Sequence, residues 1–500
     1  MPITEDERNL IGQLTGRLRA GKYERERMEA YAEGTARYTK LGLAIPEGLE
    51  DLTTIINAAK IVKESTEERI DIEGFRLPPE TNADGTPKDI DPEAPDTDEE
   101  MWRWWQANDL DSESQLGHED YITMGSFYTC VGTRADDPDT PRITVESPHN
   151  MTALYRPDNR TPRAVLRLYD SEPEVARGDR ATLYVPGANV YLKRGKGTGG
   201  WVYDETDEHP GRDEFDIDEC MATPFGNNAK LSDRSGVSEL RDVVTLQDAA
   251  IRNLTNLQVG AETHALPLRG VAGAAASDFK DAATGEELTQ WEAYFGAVWT
   301  IANPEARSFQ FSASDLRNFH ETTMHYMRLI SMVYGLPPYY VGAGNDQGPG
   351  GDSIRASEAR LIMRVRRKIR ALSAGWERTM QLAHMMVNGG ELDARYRSLE
   401  VLFRNPETPT MAQIIDGVVK LHADGLYSVR DALEDMPNVT ATRRKRILLN
   451  LKAEKDEEAE RSQKATQALA DAMRTDGVED EPQGGIPGFD PSSRTEDGGA

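Results

Sequence analysis

The sequence predicts an α+β protein, and three observations carry that prediction. Residues 120–225 break into short runs rich in β-branched and aromatic residues, divided by Pro, Gly and Asp. On either side of this region the apolar residues recur every three or four positions, over stretches too long for strands. Hydrophobic residues make up only 38% of the chain, below the globular average, but its 500 residues suffice for sizeable cores in roughly two to four domains.

From Thr4 to about Ile72 the pattern is helical: Leu10, Leu14 and Leu18, then Tyr31, Thr35 and Tyr38, fall at three- and four-residue intervals. Leu49, Leu52, Ile55, Ile56, Ala59 and Val62 continue it beyond Pro46. Residues 77–99 form a Pro/Asp-rich linker too polar to fold alone. Residues 80–120 hold 14 acidic and 2 basic side chains, so the acidity of the chain is concentrated there. A tryptophan-rich helix, MWRWWQANDL, follows with Asp98 as its expected N-cap. The runs between 120 and 225 then read as an antiparallel meander packed on the N-terminal helices.

A long helix is expected over 232–264, where Leu240, Val243, Leu246, Ala250, Leu254, Leu257 and Ala261 share one face. A second spans about 315–334, N-capped by Ser314 and stopped by Gly335-Leu336-Pro337-Pro338. The roughly 50 residues between them exceed a simple turn, and their aromatics mark a small folded tip. Next come the glycine-rich stretch VGAGNDQGPGGDS and a helix from Ile354 to about Val387, N-capped by Asp352 or Ser353. Residues 395–404 read as a strand, three more helices follow, and the tail from 475 to 500 reads as disordered.

A formal charge of −28 and a pI near 4.8 argue against a surface that holds polyanionic nucleic acid throughout or coats anionic membrane. Cys130 and Cys220 are too few for a disulfide framework or a four-cysteine zinc site, so the chain reads as made in a reducing cytoplasm. No run of about 18 apolar residues occurs, and the acidic start MPITEDERNLIGQL is not a signal peptide. The expectation is a soluble intracellular chain with no membrane partner.

Sequence patterns for catalysis fail on chemistry. Gly16-Arg17-Leu18-Arg19-Ala20-Gly21-Lys22 fits GxxxxGK, but Tyr23 stands where a magnesium-binding hydroxyl is needed, and no strand precedes it. His320 and His325 resemble HExxH with one residue too many, which turns the rings about 140° apart on a helix. Gly195–Gly200 reads as a hairpin turn, and no carboxylate pair stands out as an acid–base couple. No catalytic residue, cofactor site or metal site is expected.

Two basic clusters interrupt the acidity. One lies within 355–378 and includes Arg360, Arg364, Arg367 and Arg370; the other is Arg443-Arg444-Lys445-Arg446. Both read as solvated faces or subunit salt bridges, or as phosphate contacts. The stretch Val341, Gly342, Gly344, Asn345, Asp346, Gln347, Gly348, Gly350 to Asp352 is nearly free of bulky side chains, and fits a segment that must move past something.

In order, these elements resemble the portal proteins of tailed double-stranded-DNA bacteriophages, especially siphophages of actinobacteria. The resemblance runs from about Leu10 to Met473. It is carried by LGLAIPEGLEDLTTIINAAKIVKESTEERIDIEGFRL, WWQANDLDSESQLGHEDYITMGSFYTCVG, ITVESPHNM, LSDRSGVSELRDVVTLQDAAIRNLTNLQVGAETHALPLR, SASDLRNFHETTMHYMRLISMVYGLPPYYVG and SIRASEARLIMRVRRK. It implies the portal fold, with a mainly helical stem, tunnel helix and crown and an α+β wing. The implied division is a wing over 1–231, stem helices over 232–264 and 315–336, and a clip over 265–314. A channel-loop region over 337–353, a tunnel helix with return to the wing over 354–404, a crown over 405–474 and the tail complete it.

The resemblance further implies a ring, commonly of twelve subunits, at one capsid vertex of the virion, assembled in the host cytoplasm. Implied partners are major capsid and scaffolding proteins, the terminase large subunit, head–tail connector or adaptor proteins, and double-stranded DNA in the channel. Phe279, Lys280, Trp291, Tyr294 and Trp299 of the clip would meet terminase or connector. The channel segment lacks the bulky or basic tips of some portals. Two other readings are a different virion component, such as a head–tail joining or minor capsid protein, and a cytosolic enzyme using Gly16–Lys22 for nucleotide.

Overall fold

The computed structural model describes residues 3–36, 54–78, 98–134, 136–158, 160–170, 178–195, 200–205, 210–264, 269–273, 305, 307–310, 316–342, 351–407, 411–436, 439 and 441–475. The chain divides into two compact units: Met1–Lys88 with Asp96–Pro409, and Asp89–Pro95 with Thr410–Ala500.

The first unit opens with helix α1 (Glu5–Ala20), whose start is fixed by a capping box between Thr4 and Glu7. Glu7 is itself buried, and its carboxylate accepts from Tyr203 Oη at 2.7 Å and Arg212 Nη1 at 2.6 Å. Helix α2 (Lys22–Glu33) stops at Gly34 with φ 75°, a left-handed cap. Gly16–Lys22 therefore lies on α1, its cap and the first residue of α2, where Lys22 pairs with Glu26 at 3.5 Å. The stretch is helical on both sides of a one-residue junction and forms no strand-to-helix glycine loop of the kind that cradles a phosphate, which removes the nucleotide reading.

Helix α3 (Ala58–Glu67) is capped by Asn57. The helical pattern expected to about Ile72 ends sooner, because Ile72–Arg76 form strand β1. This strand pairs antiparallel with β13 (Glu400–Phe403), which joins the segment after α3 to the last strand of the unit. Helix α4 (Glu99–Ala107) begins at Asp98, whose side chain accepts from the Met101 N–H as expected. A further helix, α5 (Leu110–Thr123), occupies polar sequence and overlaps the start of the β region expected from residue 120.

The β region is split between two sheets. Strand β2 (Ser126–Gly132) lies between β10 (Ala222–Gly226) and β3 (Arg142–Glu146). The expected antiparallel meander is the other sheet: β4 (Met151–Tyr155), β5 (Pro162–Tyr169), β6 (Arg180–Val185), β7 (Ala188–Arg194) and β8 (Trp201–Tyr203). Strand β9 (Arg212–Glu214) also pairs with β7. The Gly195 N–H donates to the Gly200 carbonyl at 2.8 Å between β7 and β8, in keeping with the expected hairpin. Ile11 and Leu14 of α1 cover the inward face of this sheet, where Leu166, Leu183 and Val190 are buried.

Helix α6 (Arg241–His264) starts nine residues later than expected. In residues 232–240 the backbone is bonded elsewhere: the Val237 N–H reaches the Asn227 carbonyl and the Glu239 N–H reaches that of Ile122. Gly236 sits at φ 80° there, and a Cβ would meet the Gly125 carbonyl oxygen, so the position requires glycine. Strands β11 (Arg269–Ala272) and β12 (Arg307–Gln310) pair antiparallel at the base of the insertion. Helix α7 (Arg317–Tyr334) follows without a side-chain cap and stops at Gly335, φ 89°, as the sequence indicates; Ser314 lies outside the described residues. After a 3₁₀ turn (Pro338–Val341) and the next stretch comes α8 (Gly351–Val387). Its start is three residues earlier than expected, so Asp352 and Ser353 lie within its first turn rather than cap it.

Helix α8 runs through the main core. Its buried positions Leu361, Val365, Leu372, Trp376, Met380 and Ala383 face Trp105, Phe127 and Phe225 among others. Trp376 meets the Trp105 ring edge-on at 5.0 Å and the Phe225 ring at 5.3 Å between centroids. A second 3₁₀ turn (Ala394–Ser398) replaces the start of the strand expected over 395–404. The second unit holds α9 (Met411–Ala423), α10 (Val429–Glu434, capped by Ser428) and α11 (Ala441–Thr475), which are the three helices expected. Helix α11 includes Thr475, the first residue assigned to the tail; residues 476–500 lie outside the described residues.

Candidate functional site

The segment singled out in the sequence lies between the α6–α7 pair and α8. Asn253 on α6 ties this pair together, donating from Nδ2 to the Phe319 carbonyl at 2.6 Å and to Thr323 Oγ1 at 2.8 Å on α7. Below Gly335 the chain turns through Pro337 and Pro338 into the 3₁₀ turn, which ends with Val341 buried and Gly342 at φ 68°. Gly344, Asn345, Asp346, Gln347, Gly348 and Gly350 lie outside the described residues. Asp352 belongs to the first turn of α8.

The described residues flanking this stretch converge on one carboxylate. Glu358, on the second turn of α8 and 5% exposed, accepts from Tyr339 Oη at 2.8 Å and from Tyr340 Oη at 3.1 Å. Arg69, just beyond α3, approaches the same oxygen at 3.5 Å and donates to Tyr340 Oη at 2.7 Å. Burial and the Glu358 charge push the Tyr339 hydroxyl well above its usual range; burial is the chief cause for Tyr340. Both hydroxyls therefore keep their protons near neutrality and act as donors.

Ten residues along α8 lies a second buried node. Lys368, 4% exposed, pairs with Glu239 and donates from Nζ to Asn227 Oδ1 at 2.6 Å and Asn228 Oδ1 at 3.1 Å. Arg364 reaches Glu239 at 3.3 Å, and its guanidinium lies 4.3 Å from the Tyr334 ring centroid. Burial pushes the Glu239 carboxyl up, but Lys368, Arg364 and Asn227 together hold it below its usual range.

The basic residues of α8 are therefore largely engaged within the chain. Arg360 donates from Nη1 to the Met332 carbonyl at 3.0 Å, and Arg364 serves Glu239. Arg366 and Arg378 pair with Glu407 and Glu219, each at 2.6 Å. Arg367 and Arg370 are exposed. On α11, Arg443 is exposed and Arg444 donates from Nε to the Val439 carbonyl at 3.1 Å; the Lys445 side chain is outside the described residues. So are Phe279, Lys280, Trp291, Tyr294 and Trp299.

The structure thus brings Arg360 and Arg364 onto the chain's own groups, and adds Glu358, Glu239, Lys368 and Asn227, which sequence reasoning missed. A signal was present: Glu358 and Lys368 share the three- and four-residue spacing of Leu361, Val365 and Leu372, so each is a charge on an apolar face. Among the described residues no group of His, Cys, Asp and Glu could hold a metal. Both cysteines are buried with their thiols pushed up to about 12, chiefly by that burial, so neither is a ready nucleophile.

Residues 80–470 match the family model described as phage portal protein, SPP1 Gp6-like. The chain is 31% identical to the portal protein of Mycobacterium phage D29 over 406 residues, which are 79% of this chain and 78% of that one. It is 30% identical to the portal protein of Mycobacterium phage L5 over 409 residues, with the same coverage of each. A looser likeness, at a TM-score of 0.41 and 14% identity, is to a chain in the neck of a native gene transfer agent particle; it spans 82% of this chain and 98% of that one.

Proposed function

The chain belongs to the SPP1 Gp6-like family of phage portal proteins, and from that premise we propose that it forms a ring at one capsid vertex through which the genome is packaged and ejected. A portal is a structural component of the virion and not an enzyme. The observation that carries the reading is the family match over residues 80–470, which takes in the α6–α7 pair, the insertion between them and α8.

In this reading residues 1–231 are the wing, and 232–264 with 315–336 form the stem. Residues 265–314 are the clip, which meets the terminase large subunit and later the head–tail connector through Phe279, Lys280, Trp291, Tyr294 and Trp299. The region 337–353 is the channel loop, with Gly342 to Asp352 facing DNA; Val341, expected there as well, is instead buried in the core at the end of the entry turn. Residues 354–404 are the tunnel helix and return to the wing, and 405–474 the crown. The ring holds about twelve copies related by heterologous contacts that close on themselves. Capsid and scaffolding proteins surround it, and assembly takes place in the host cytoplasm. Arg367, Arg370 and Arg443 serve phosphates or neighbouring subunits; for Arg360 and Arg364 their bonds within the chain support a structural role.

A head-assembly experiment tests this. In a phage whose own copy is deleted, the wild-type chain supplied in trans restores DNA-filled heads. A chain lacking Gly344–Gly350 still assembles into rings but yields few filled heads. Filled heads with no chain supplied would reject the portal role, and normal genome yield from the deletion would reject the channel-loop assignment.

A further inference from the structure

The residues on both sides of the Gly342–Gly351 interval are tied to a single buried point. Tyr339 and Tyr340 lie three and two residues before the interval, and Glu358 lies seven residues after it. Both phenolic hydroxyls converge on one oxygen of Glu358, at 2.8 Å and 3.1 Å. Arg69 adds a third attachment from outside the segment and is held in turn by its own bond to the Ser65 carbonyl at 2.8 Å. A carboxylate at 5% exposure costs several kcal/mol of hydration unless it is paired and hydrogen-bonded, so a glutamate here demands these donors. An apolar residue would serve a purely packed helix face better, since the neighbouring buried positions on α8 are Leu361 and Val365.

We propose that Glu358 is the positioning residue of the channel loop: it clamps the entry turn (Tyr339, Tyr340) to the exit helix and, through Arg69, to the α3 region. The clamp fixes the separation and direction of the two described ends of the interval, Gly342 and Gly351. Load on the loop reaches α3 through charge-assisted hydrogen bonds rather than through apolar contact alone. The clamp itself stands on the described geometry; its purpose at a DNA channel rests on the portal reading.

Two variants test it in the full-length assembled protein. Glu358→Gln removes the charge, and Tyr339→Phe with Tyr340→Phe removes only the two hydroxyls and keeps the rings. Hydrogen exchange is read at the Tyr340 and Gly342 amides, which donate to the Pro337 and Tyr339 carbonyls within the entry turn. Exchange about tenfold faster in both variants is expected, the equivalent of losing about one net hydrogen bond. Unchanged exchange in the tyrosine pair overturns the clamp, and that variant alone decides if Glu358→Gln fails to fold.

The second readout is genome retention in heads built with each variant. Normal ring and head numbers with reduced retained DNA are expected, a split that general destabilisation would not produce. Faster exchange with full retention overturns the positioning role at the channel. No filled heads from the wild-type chain would instead reject the portal reading and leave the exchange result standing.

Discussion

At the residue scale the core is organised by Trp376, whose indole Nε1 donates to His118 Nε2 at 3.1 Å. That bond needs a neutral acceptor ring, and complete burial pushes the imidazole down to about 3. The neighbouring Gly375 is a glycine in mid-helix because the Phe225 ring occupies the space its Cβ would need, with Cε1 only 2.2 Å away. The sign of the pH effect follows from the histidine. Unfolded, it takes a proton near 6.5; folded, it stays neutral down to about 3, so the unfolded state binds more protons between these values. Stability from this group is present above 6.5 and is lost as pH falls through that window. His118→Gln keeps an acceptor for the indole and cannot charge. Urea unfolding of this variant should lose about 2 kcal/mol less than wild type between pH 7 and pH 5. Equal losses would show that His118 does not govern the acid limb.

At the element scale α8 does two jobs, filling the core with one face while carrying two buried charges on it. Lys368→Met should cost about 3 kcal/mol in urea unfolding, because Glu239 is left buried with Arg364 as its remaining ion-pair partner. Adding Glu239→Gln should recover most of that loss, and a single-variant cost below about 1 kcal/mol would contradict a coupled pair. The same helix shows what was legible in the sequence. Its apolar spacing located it to within three residues, as the Gly335 stop signal did for α7, since periodicity and left-handed caps are local properties. The polar helix α5 and the late start of α6 were not legible. α5 has few apolar residues to mark a face, and its Gly117 is required by the Phe127 ring, a partner ten residues away. The 232–240 stretch obeys hydrogen bonds to Ile122 and Asn227, which no local pattern encodes. The basic cluster of α8 was legible as charge but not as pairing, because Glu239, Glu407 and Glu219 lie far from it in sequence.

At the scale of the whole molecule, the charge of −28 takes on a different meaning. It argues against a protein that holds nucleic acid over its surface, since tight phosphate binding needs many free Lys and Arg. A conduit has the opposite requirement, because DNA must slide through without being held. The pairing of Arg364, Arg366, Lys368 and Arg378 within the chain removes much of the apparent basic patch and agrees with that requirement. Arg367 and Arg370 are exposed on α8, where DNA or a neighbouring subunit could act on them. A conduit of this kind requires copies of the chain to close into a ring around an axial channel. Electron microscopy of the purified protein decides whether such rings form. Closed rings of uniform subunit number with an open axial channel are expected; compact monomers at every protein and salt concentration would overturn the portal ring.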